Sequence, residues 1–158
     1  MLSPYHETIT LIERLHRQFL EVLKVELERS SIQDINNVQS LILYNVGDDE
    51  LTVGELTARG YYLGSNVSYN LKKLVENGYL LQERSIHDKR SIRVRLSDKG
   101  KALHTSMTDL YAKHIENMEN TSLSIERIGE LNAALKDLEG FWGTQMGVGG
   151  LTTELVTE

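Results

Sequence analysis

The chain has 158 residues, of which 40% are hydrophobic, a formal net charge of −6 and no cysteine. This length and composition predict a single domain with one hydrophobic core and extensions, and the lack of cysteine excludes disulfides, thiolate metal sites and cysteine redox switches. No apolar run approaches the roughly 18 residues of a membrane span, and the first residues lack the layout of a signal peptide. We therefore expect no membrane partner and a cytoplasmic location.

Catalytic motifs are also missing. The sequence contains no G-x-S-x-G, P-loop, G-x-G-x-x-G or H-E-x-x-H pattern. Its histidines share no spacing typical of metal ligands; they are His6, His16, His87, His104 and His114. We therefore expect a protein that is not an enzyme and that has no catalytic residue, metal or cofactor.

Residues 4–29 predict a long amphipathic helix. Its apolar residues recur at steps of three and four, which places them on one side: Tyr5, Ile9, Ile12, Leu15, Phe19, Leu23 and Leu27. Such a stripe is typical of a packed face, and a ligand-lining role is the alternative. Ser30 and Ser31 break the helix.

A second helix is expected from Asp34, its candidate N-cap, to Val46, with Gly47 ending it. The acidic turn Gly47–Glu50 follows. Because it lacks the spaced ligands of an oxygen cage, a solvated loop is the better interpretation.

The next 51 residues, 51–101, form a basic block. They contain ten of the 17 Lys and Arg residues against five acids, a local net charge of +5, whereas residues 1–50 and 102–158 carry −5 and −6. A positive surface on an acidic protein is typical of a site that meets a polyanion. A solvated charged face is the alternative that charge alone leaves open.

Two short helices joined by a turn are predicted at the start of this block. Thr52 and Glu55 fit a capping box that begins one helix, and Gly60 is its expected end. After the turn Tyr61–Gly64, Ser65 is the expected N-cap of the second helix.

The second helix should end at Asn77-Gly78. Val67, Leu71 and Leu74 recur at i, i+4 and i+7, so they should pack inward. The opposite face displays the side chains that bond base edges and phosphates. We assign base contacts to Asn66, Ser68, Tyr69 and Asn70 and phosphate contacts to Lys72 and Lys73, with Ser65 beside them at the helix start.

A β-hairpin follows, with strands over Tyr79–Arg84 and Ser91–Leu96. Ile92, Val94 and Leu96 alternate with arginines, a period of two that predicts one buried face. The polar loop 85–90 between the strands is too long for a two-residue turn. A helix-turn-helix followed by a basic hairpin is a winged helix-turn-helix, whose wing would reach DNA through Lys89 or Arg90.

Two more helices complete the chain. Ser97 should cap one that runs to about Asn120, and Ser124 should cap the last, whose stripe extends to Phe141 and Trp142. Residues 147–158 are expected to form a flexible tail.

The hairpin carries a motif that resembles the wing signature D-x-R…L-[TS]-x-x-G of the MarR family of transcriptional regulators. The matching residues are Asp88-Lys89-Arg90 and Val94-x-Leu96-Ser97-x-x-Gly100. The exit Leu74–Leu80 also resembles that of the family's recognition helix. The turn Arg59–Gly64 resembles that of an alphaproteobacterial branch.

This resemblance implies a mainly α fold with a small β-hairpin wing, a winged helix-turn-helix flanked by long dimerisation helices. The N-terminal dimerisation helix would occupy residues 1–33, the DNA-binding lobe 34–97 and the C-terminal dimerisation helices 98–146. By position, Asp88 would form an ion pair with Arg90, and whether Arg90 also touches DNA stays open.

The resemblance also implies a pocket beneath the first helix for a small aromatic or amphipathic ligand. Exposed or structurally bonded side chains are the alternative for its candidate residues, which are Arg14, His16, Phe19, Tyr44 and Tyr62.

The expected function is that of a sequence-specific DNA-binding transcriptional regulator, which binds double-stranded DNA as a homodimer on a pseudo-palindromic operator and responds to a ligand. The alternative is a winged-helix adaptor that binds protein partners without specific DNA binding. Phosphate contacts predict an affinity that falls steeply with salt, which an adaptor would not show on DNA.

Overall fold

The computed structural model describes residues 3–60, 64–84 and 91–147. Their elements are α1 (Pro4–Arg29), α2 (Asn37–Val46), β1 (Leu51–Thr52), α3 (Val53–Gly60), α4 (Gly64–Glu76), β2 (Leu80–Arg84), β3 (Ile92–Leu96), α5 (Asp98–Met118) and α6 (Ile125–Gln145). The chain divides into two compact units, Met1–Thr108 and Asp109–Glu158. The expected fold class, mainly α with a small β-hairpin wing, is confirmed.

Helix α1 has the predicted bounds because both ends carry clear signals. The Ser3 hydroxyl accepts a hydrogen bond from the backbone N–H of His6, and Pro4 occupies the first helical position, where a missing N–H costs nothing. Ser31 takes the left-handed conformation, with φ of 58°, directly after the helix. Leu23 and Leu27 are buried in the first unit, whereas Leu15 and several other apolar side chains of α1 stay exposed there.

Helix α2 begins later than the sequence predicted, and Asp34 is not its N-cap. Asn36 caps it through a reciprocal capping box with Gln39: the Asn36 side chain accepts from the Gln39 backbone at 2.8 Å, and the Gln39 side chain accepts from the Asn36 backbone at 3.0 Å. The Asp34 carboxylate instead accepts hydrogen bonds from Tyr79 and Lys99, both at 2.8 Å. Asp34 is therefore held by hydrogen bonds from two residues that are distant in sequence.

The hairpin belongs to a three-stranded antiparallel sheet in the order β1-β3-β2. Strand β1 was not predicted because two residues are too short to show alternation. It pairs Leu51 with Val94, which makes β3 the central strand and leaves Val94 only 2% exposed. The predicted burial of Ile92 is wrong: it is 41% exposed and lies in the part of the hairpin that extends beyond β1, which ends opposite Arg93.

One core fills the first unit. Both helices of the helix-turn-helix contribute to it, and α2, the sheet and the start of α5 pack around them. Its fully buried side chains include Leu23, Ile42, Leu43, Val46, Leu56, Val67, Leu74, Leu80 and Met107. The inward face predicted for α4, namely Val67, Leu71 and Leu74, is therefore confirmed.

The junction between α4, the hairpin and α5 explains two glycines. Gly78 has φ of +82°, and the backbone bonds Gly78 N–H to Val75 and Tyr79 N–H to Leu74 form a Schellman motif. At Gly100 a Cβ would overlap the carbonyl oxygen of Tyr79 and lie 3.2 Å from its carbon. Only glycine lets the first turn of α5 lie this close to the start of β2.

In the second unit, Ser124 caps α6 as predicted by accepting from the Arg127 backbone at 3.2 Å. Helix α5 ends at Met118, close to the predicted end at Asn120. No described residue of α6 is buried in this unit, and Leu131 is 47% exposed.

Within the described ranges, every helix is too short or too polar to cross a membrane. The tail 148–158 lies outside the described residues, and the predicted domain boundaries stay predictions.

Candidate nucleic-acid interface

The two helices α3 and α4 form the predicted helix-turn-helix. At the start of α3 the Glu55 backbone donates to the Thr52 hydroxyl at 3.1 Å, and the Thr52 backbone donates to the Glu55 carboxylate at 3.3 Å. This capping box is the one expected from the sequence. Helix α4 already begins at Gly64, so Ser65 lies in its first turn and is not the N-cap that we predicted. Residues 61–63 and the Ser65 side chain lie outside the described part of the chain.

The outer face of α4 carries the polar side chains that were assigned to DNA. Asn66, Ser68, Tyr69 and Lys72 are exposed, and Tyr69 reaches 61% exposure. The opposite face is buried in the core, so the orientation of α4 is fixed and its outer face is held toward solvent. An aromatic ring, hydroxyls, amides and a cation on one fixed helix face can contact both base edges and phosphates.

Asn70 differs from this exposed set. Its amide is partly buried, accepts a hydrogen bond from the Gln39 amide at 3.2 Å and donates to the Asn66 carbonyl at 2.9 Å. The sequence reading placed Asn70 on the outer face and did not include Gln39, because a contact 31 residues apart leaves no local pattern.

Several cations of the basic block are paired inside the molecule. Arg59 contacts Asp49 at 2.8 Å, and Arg95 contacts Glu83 at 3.2 Å and Glu50 at 3.7 Å. The acidic turn Gly47–Glu50 is therefore not only a solvated loop, since two of its carboxylates pair with Arg59 of α3 and Arg95 of the hairpin. These pairs reduce the positive charge left for a polyanion.

Other cations of the block have no ion pair among residues 3–60, 64–84 and 91–147. They are Lys72 on α4, Arg84 and Arg93 on the hairpin, and Lys101 on α5. Lys73 contacts Glu76 at 3.5 Å in an exposed i,i+3 pair, which costs little to break. Arg84 and Arg93 were missing from the predicted DNA contacts. The sequence alone did not show which arginines form ion pairs with acidic side chains and which do not.

The wing residues Asp88, Lys89 and Arg90 lie outside the described residues, so their ion pair and DNA contacts stay predictions. The hairpin below them is described: Glu83 faces Arg93, and Arg84 faces Ile92. It extends past β1, and the side chains of residues 81–84 are exposed.

A cluster of polar groups joins the start of α2, the hairpin and α5. The Lys99 ammonium contacts Asp34 at 2.8 Å and lies 4.3 Å from the centre of the Tyr79 ring. Burial and the Asp34 hydrogen bond raise the pKa of Tyr79. Partial burial acts to raise the pKa of Asp34, but hydrogen bonds from Lys99 and Tyr79 outweigh it and lower that pKa below 3.8. The cluster therefore links the residue before β2 to α5 and to the segment that precedes α2.

The residues predicted to line a ligand pocket are placed differently from one another. Arg14 and His16 are exposed on α1, whereas Phe19 and Tyr44 are partly buried against the core. Tyr44 stacks on His104 with ring centres 4.6 Å apart. Tyr62 lies outside the described residues. A depression on α6 is lined by Asn132, Leu135, Lys136 and Glu139, none of which was predicted.

Comparison with known proteins agrees with this architecture. Residues 35–100 match the family model of a winged helix DNA-binding domain. The exopolysaccharide II synthesis transcriptional activator ExpG of Rhizobium meliloti (strain 1021) is 35% identical over 142 residues, which cover 90% of this chain and 73% of that protein.

Solved structures show the same fold. Streptococcus pneumoniae FabT, crystallised in complex with DNA, has a TM-score of 0.72 and is 20% identical in sequence. The match covers 89% of this chain and 99% of the FabT chain. Staphylococcus aureus MarR, in complex with salicylate and kanamycin, has a TM-score of 0.70 and is 22% identical in sequence. The match covers 87% of this chain and 91% of the S. aureus chain.

A helix-turn-helix with an outward polar face, followed by a hairpin against the same core, defines a winged helix-turn-helix DNA-binding protein. The chain belongs to the same family of transcriptional regulators as ExpG, and it shares the fold of the solved MarR proteins. Its matches are to transcription regulators and favour DNA binding over the adaptor alternative. The likeness to an alphaproteobacterial branch stays a prediction.

Proposed function

We propose that the chain regulates transcription as a homodimer that binds a pseudo-palindromic duplex. The observation that carries this proposal is the polar outer face of α4, held outward by the burial of Val67, Leu71 and Leu74. In a two-fold dimer, two such helices would enter successive major grooves about one helical turn, roughly 34 Å, apart.

The DNA contacts in this proposal are those expected from the sequence, with the hairpin cations added. Exposed polar side chains of α4 would contact base edges and, through Lys72 and Lys73, phosphates. Arg84 and Arg93 would extend the phosphate contacts along the hairpin, because neither is paired with an acid in the described part of the chain. The predicted wing contacts are Lys89 and Arg90.

Dimerisation is supported by apolar surface that each unit leaves uncovered. Helix α6 exposes Ile125, Leu131, Leu135 and Phe141, and α1 exposes Leu11, Leu15 and Val25. Exposed apolar side chains of this size are typical of an interface, and a two-fold contact would cover the same residues on both copies.

Response to a small aromatic or amphipathic molecule is a further part of the proposal. It is supported by family membership and by the S. aureus MarR structure, which contains salicylate and kanamycin. A ligand would change DNA affinity only if it favours one spacing of the two recognition helices. Aromatic carboxylates that neither raise the melting temperature nor shift DNA affinity would contradict it.

The test of the function is selection of genomic fragments with purified protein, followed by fluorescence anisotropy on the enriched duplex and a scrambled one at two salt concentrations. We expect one inverted-repeat site, bound at least about a thousandfold more tightly than the scramble. Equal, weak binding to both duplexes that disappears as salt rises would contradict it.

A further inference from the structure

Two side-chain amides connect the start of α2 to the recognition helix α4. Gln39 is only 6% exposed, and its Nε2 donates to Oδ1 of Asn70 at 3.2 Å. Its Oε1 accepts from the backbone N–H of Asn36 at 3.0 Å, and Nδ2 of Asn70 donates to the backbone carbonyl of Asn66 at 2.9 Å. The bonds form one chain from Asn36 to Asn66.

The two backbone groups at its ends fix the direction of every bond in this chain. The Asn36 N–H can only donate, so Gln39 must present Oε1 to it and Nε2 to Asn70. Asn70 must then present Oδ1 to Gln39, which leaves Nδ2 facing the Asn66 carbonyl, a group that can only accept. Turning either amide over would place donor against donor and acceptor against acceptor, and unpaired buried polar groups are costly.

After these bonds, the Asn70 amide still has one N–H and one oxygen lone pair. Its side chain is partly exposed on the same helix as the outward Asn66 and Tyr69. In the major groove adenine presents an acceptor at N7 beside a donor at N6, the pair that an asparagine amide matches with one N–H and one lone pair. An amide free to turn over would lose part of this match, because both of its orientations would be populated.

We propose that Gln39 is a positioning residue for base specificity, which locks the orientation of the Asn70 amide so that the recognition helix reads adenine at one position. This inference rests on the proposed function, since it assigns how one base of the operator is read. Gln39 itself touches no DNA and acts only through Asn70.

The test measures binding of Gln39→Met, Asn70→Ala and the double variant to the selected operator and to duplexes in which each base pair is replaced in turn. We expect Asn70→Ala to lose discrimination at one A·T pair by about 5- to 150-fold, the range for one bidentate contact. Gln39→Met should lose at least about fivefold at the same pair. The double variant should lose no more than Asn70→Ala alone.

Asn36→Ala is the matched control. It removes the side chain that caps α2 but keeps the backbone N–H that orients Gln39. We expect a lower melting temperature with unchanged discrimination at the A·T pair. Loss of that discrimination in a folded Asn36→Ala protein would overturn the proposal, because a weaker helix would then explain the Gln39 effect.

Two other results would also overturn it. In one, Gln39→Met weakens every duplex equally; in the other, its effect persists in full when Asn70 is already alanine. If the unsubstituted protein prefers no duplex, the proposed function fails, and this inference fails with it. That case is distinguishable because the failure then appears without any substitution.

A measurement without DNA tests the lock itself. In the free protein, the side-chain amide protons of Asn70 should exchange with solvent more slowly than those of the exposed Asn66, and Gln39→Met should speed the Asn70 exchange alone. If the Asn70 amide protons exchange at the same rate in the Gln39→Met protein as in the unsubstituted protein, Gln39 does not lock the amide and the proposal is overturned.

Discussion

At the scale of single residues, internal pairing decides which cations of the basic block can bind phosphate. Arg59 and Arg95 pair with acids that lie far from them in sequence, whereas Lys72 has no such partner among the described residues. Each phosphate that a cation neutralises releases counterions, so its loss is visible in the salt dependence of binding.

Replacing Lys72 with alanine should weaken binding to the operator and to the scramble alike. The slope of log affinity against log salt concentration should flatten by about 0.9, the value for one phosphate contact. Lys73→Ala should act similarly, since its exposed pair with Glu76 opens at little cost. Lys24→Ala on α1, which removes one charge outside the block, is the control; a Lys72 slope equal to that of the control would remove Lys72 from the contacts.

Asp34 should make stability depend on acid. Its pKa is lowered in the folded protein below 3.8, so its contribution is present above the unfolded value and is lost as pH falls through the folded value. Between pH 5 and pH 3, the unsubstituted protein should therefore lose more free energy of unfolding than Asp34→Asn. Urea unfolding at both values measures this difference, and parallel losses would show that the Lys99 and Tyr79 contacts do not favour the charged carboxylate.

At the scale of elements, the position of the hairpin depends on the close approach of α5 to the start of β2. The carbonyl of Tyr79 accepts from the Ser97 backbone at 3.1 Å and from its hydroxyl at 2.9 Å. Gly100 lies in the first turn of α5, against the same carbonyl, and it is the last residue of the wing signature. The motif glycine is thus a packing requirement.

Gly100→Ala should destabilise the protein by about 1–3 kcal/mol, because its Cβ overlaps backbone atoms that cannot turn away. Gly129→Ala is the matched substitution within a helix; its Cβ meets nothing within 4 Å, so it should stabilise by about 0.5–1 kcal/mol. Chemical denaturation measures both. A Gly100→Ala protein as stable as the original would show that α5 can shift without cost.

At the scale of the whole molecule, the proposed function requires a second copy of the chain for DNA binding. One recognition helix reads half of an inverted repeat, and the spacing between two of them sets the operator. Each unit leaves apolar side chains of α1 and α6 exposed, which is the surface that we assign to the partner copy.

Leu131→Glu should therefore weaken the dimer, because the substitution places a charge in a contact made twice by symmetry. Analytical ultracentrifugation should show a shift toward monomer, with weaker operator binding at the same total concentration. Asn132→Glu adds the same charge at the adjacent exposed position and should leave the mass unchanged. An unchanged mass for Leu131→Glu would exclude this part of α6 from the interface.

Much of the fold was determined by the sequence itself. The span of α1, the capping box at Thr52, the inward face of α4 and the hairpin strands all follow from signals within a few residues of one another. Caps and periodicity are local physics, because the bonds and faces concerned recur within one or two turns. The wing signature also indicated the resemblance to the MarR regulators.

The other features depend on contacts between residues that are distant in the chain. Asp34 does not cap α2 because it binds Tyr79 and Lys99. Strand β1 pairs with β3, Arg95 pairs with Glu50, and Gln39 bonds to Asn70. Each of these contacts joins residues far apart in the chain, so the choice of partner depends on how the elements pack and leaves no mark in local spacing.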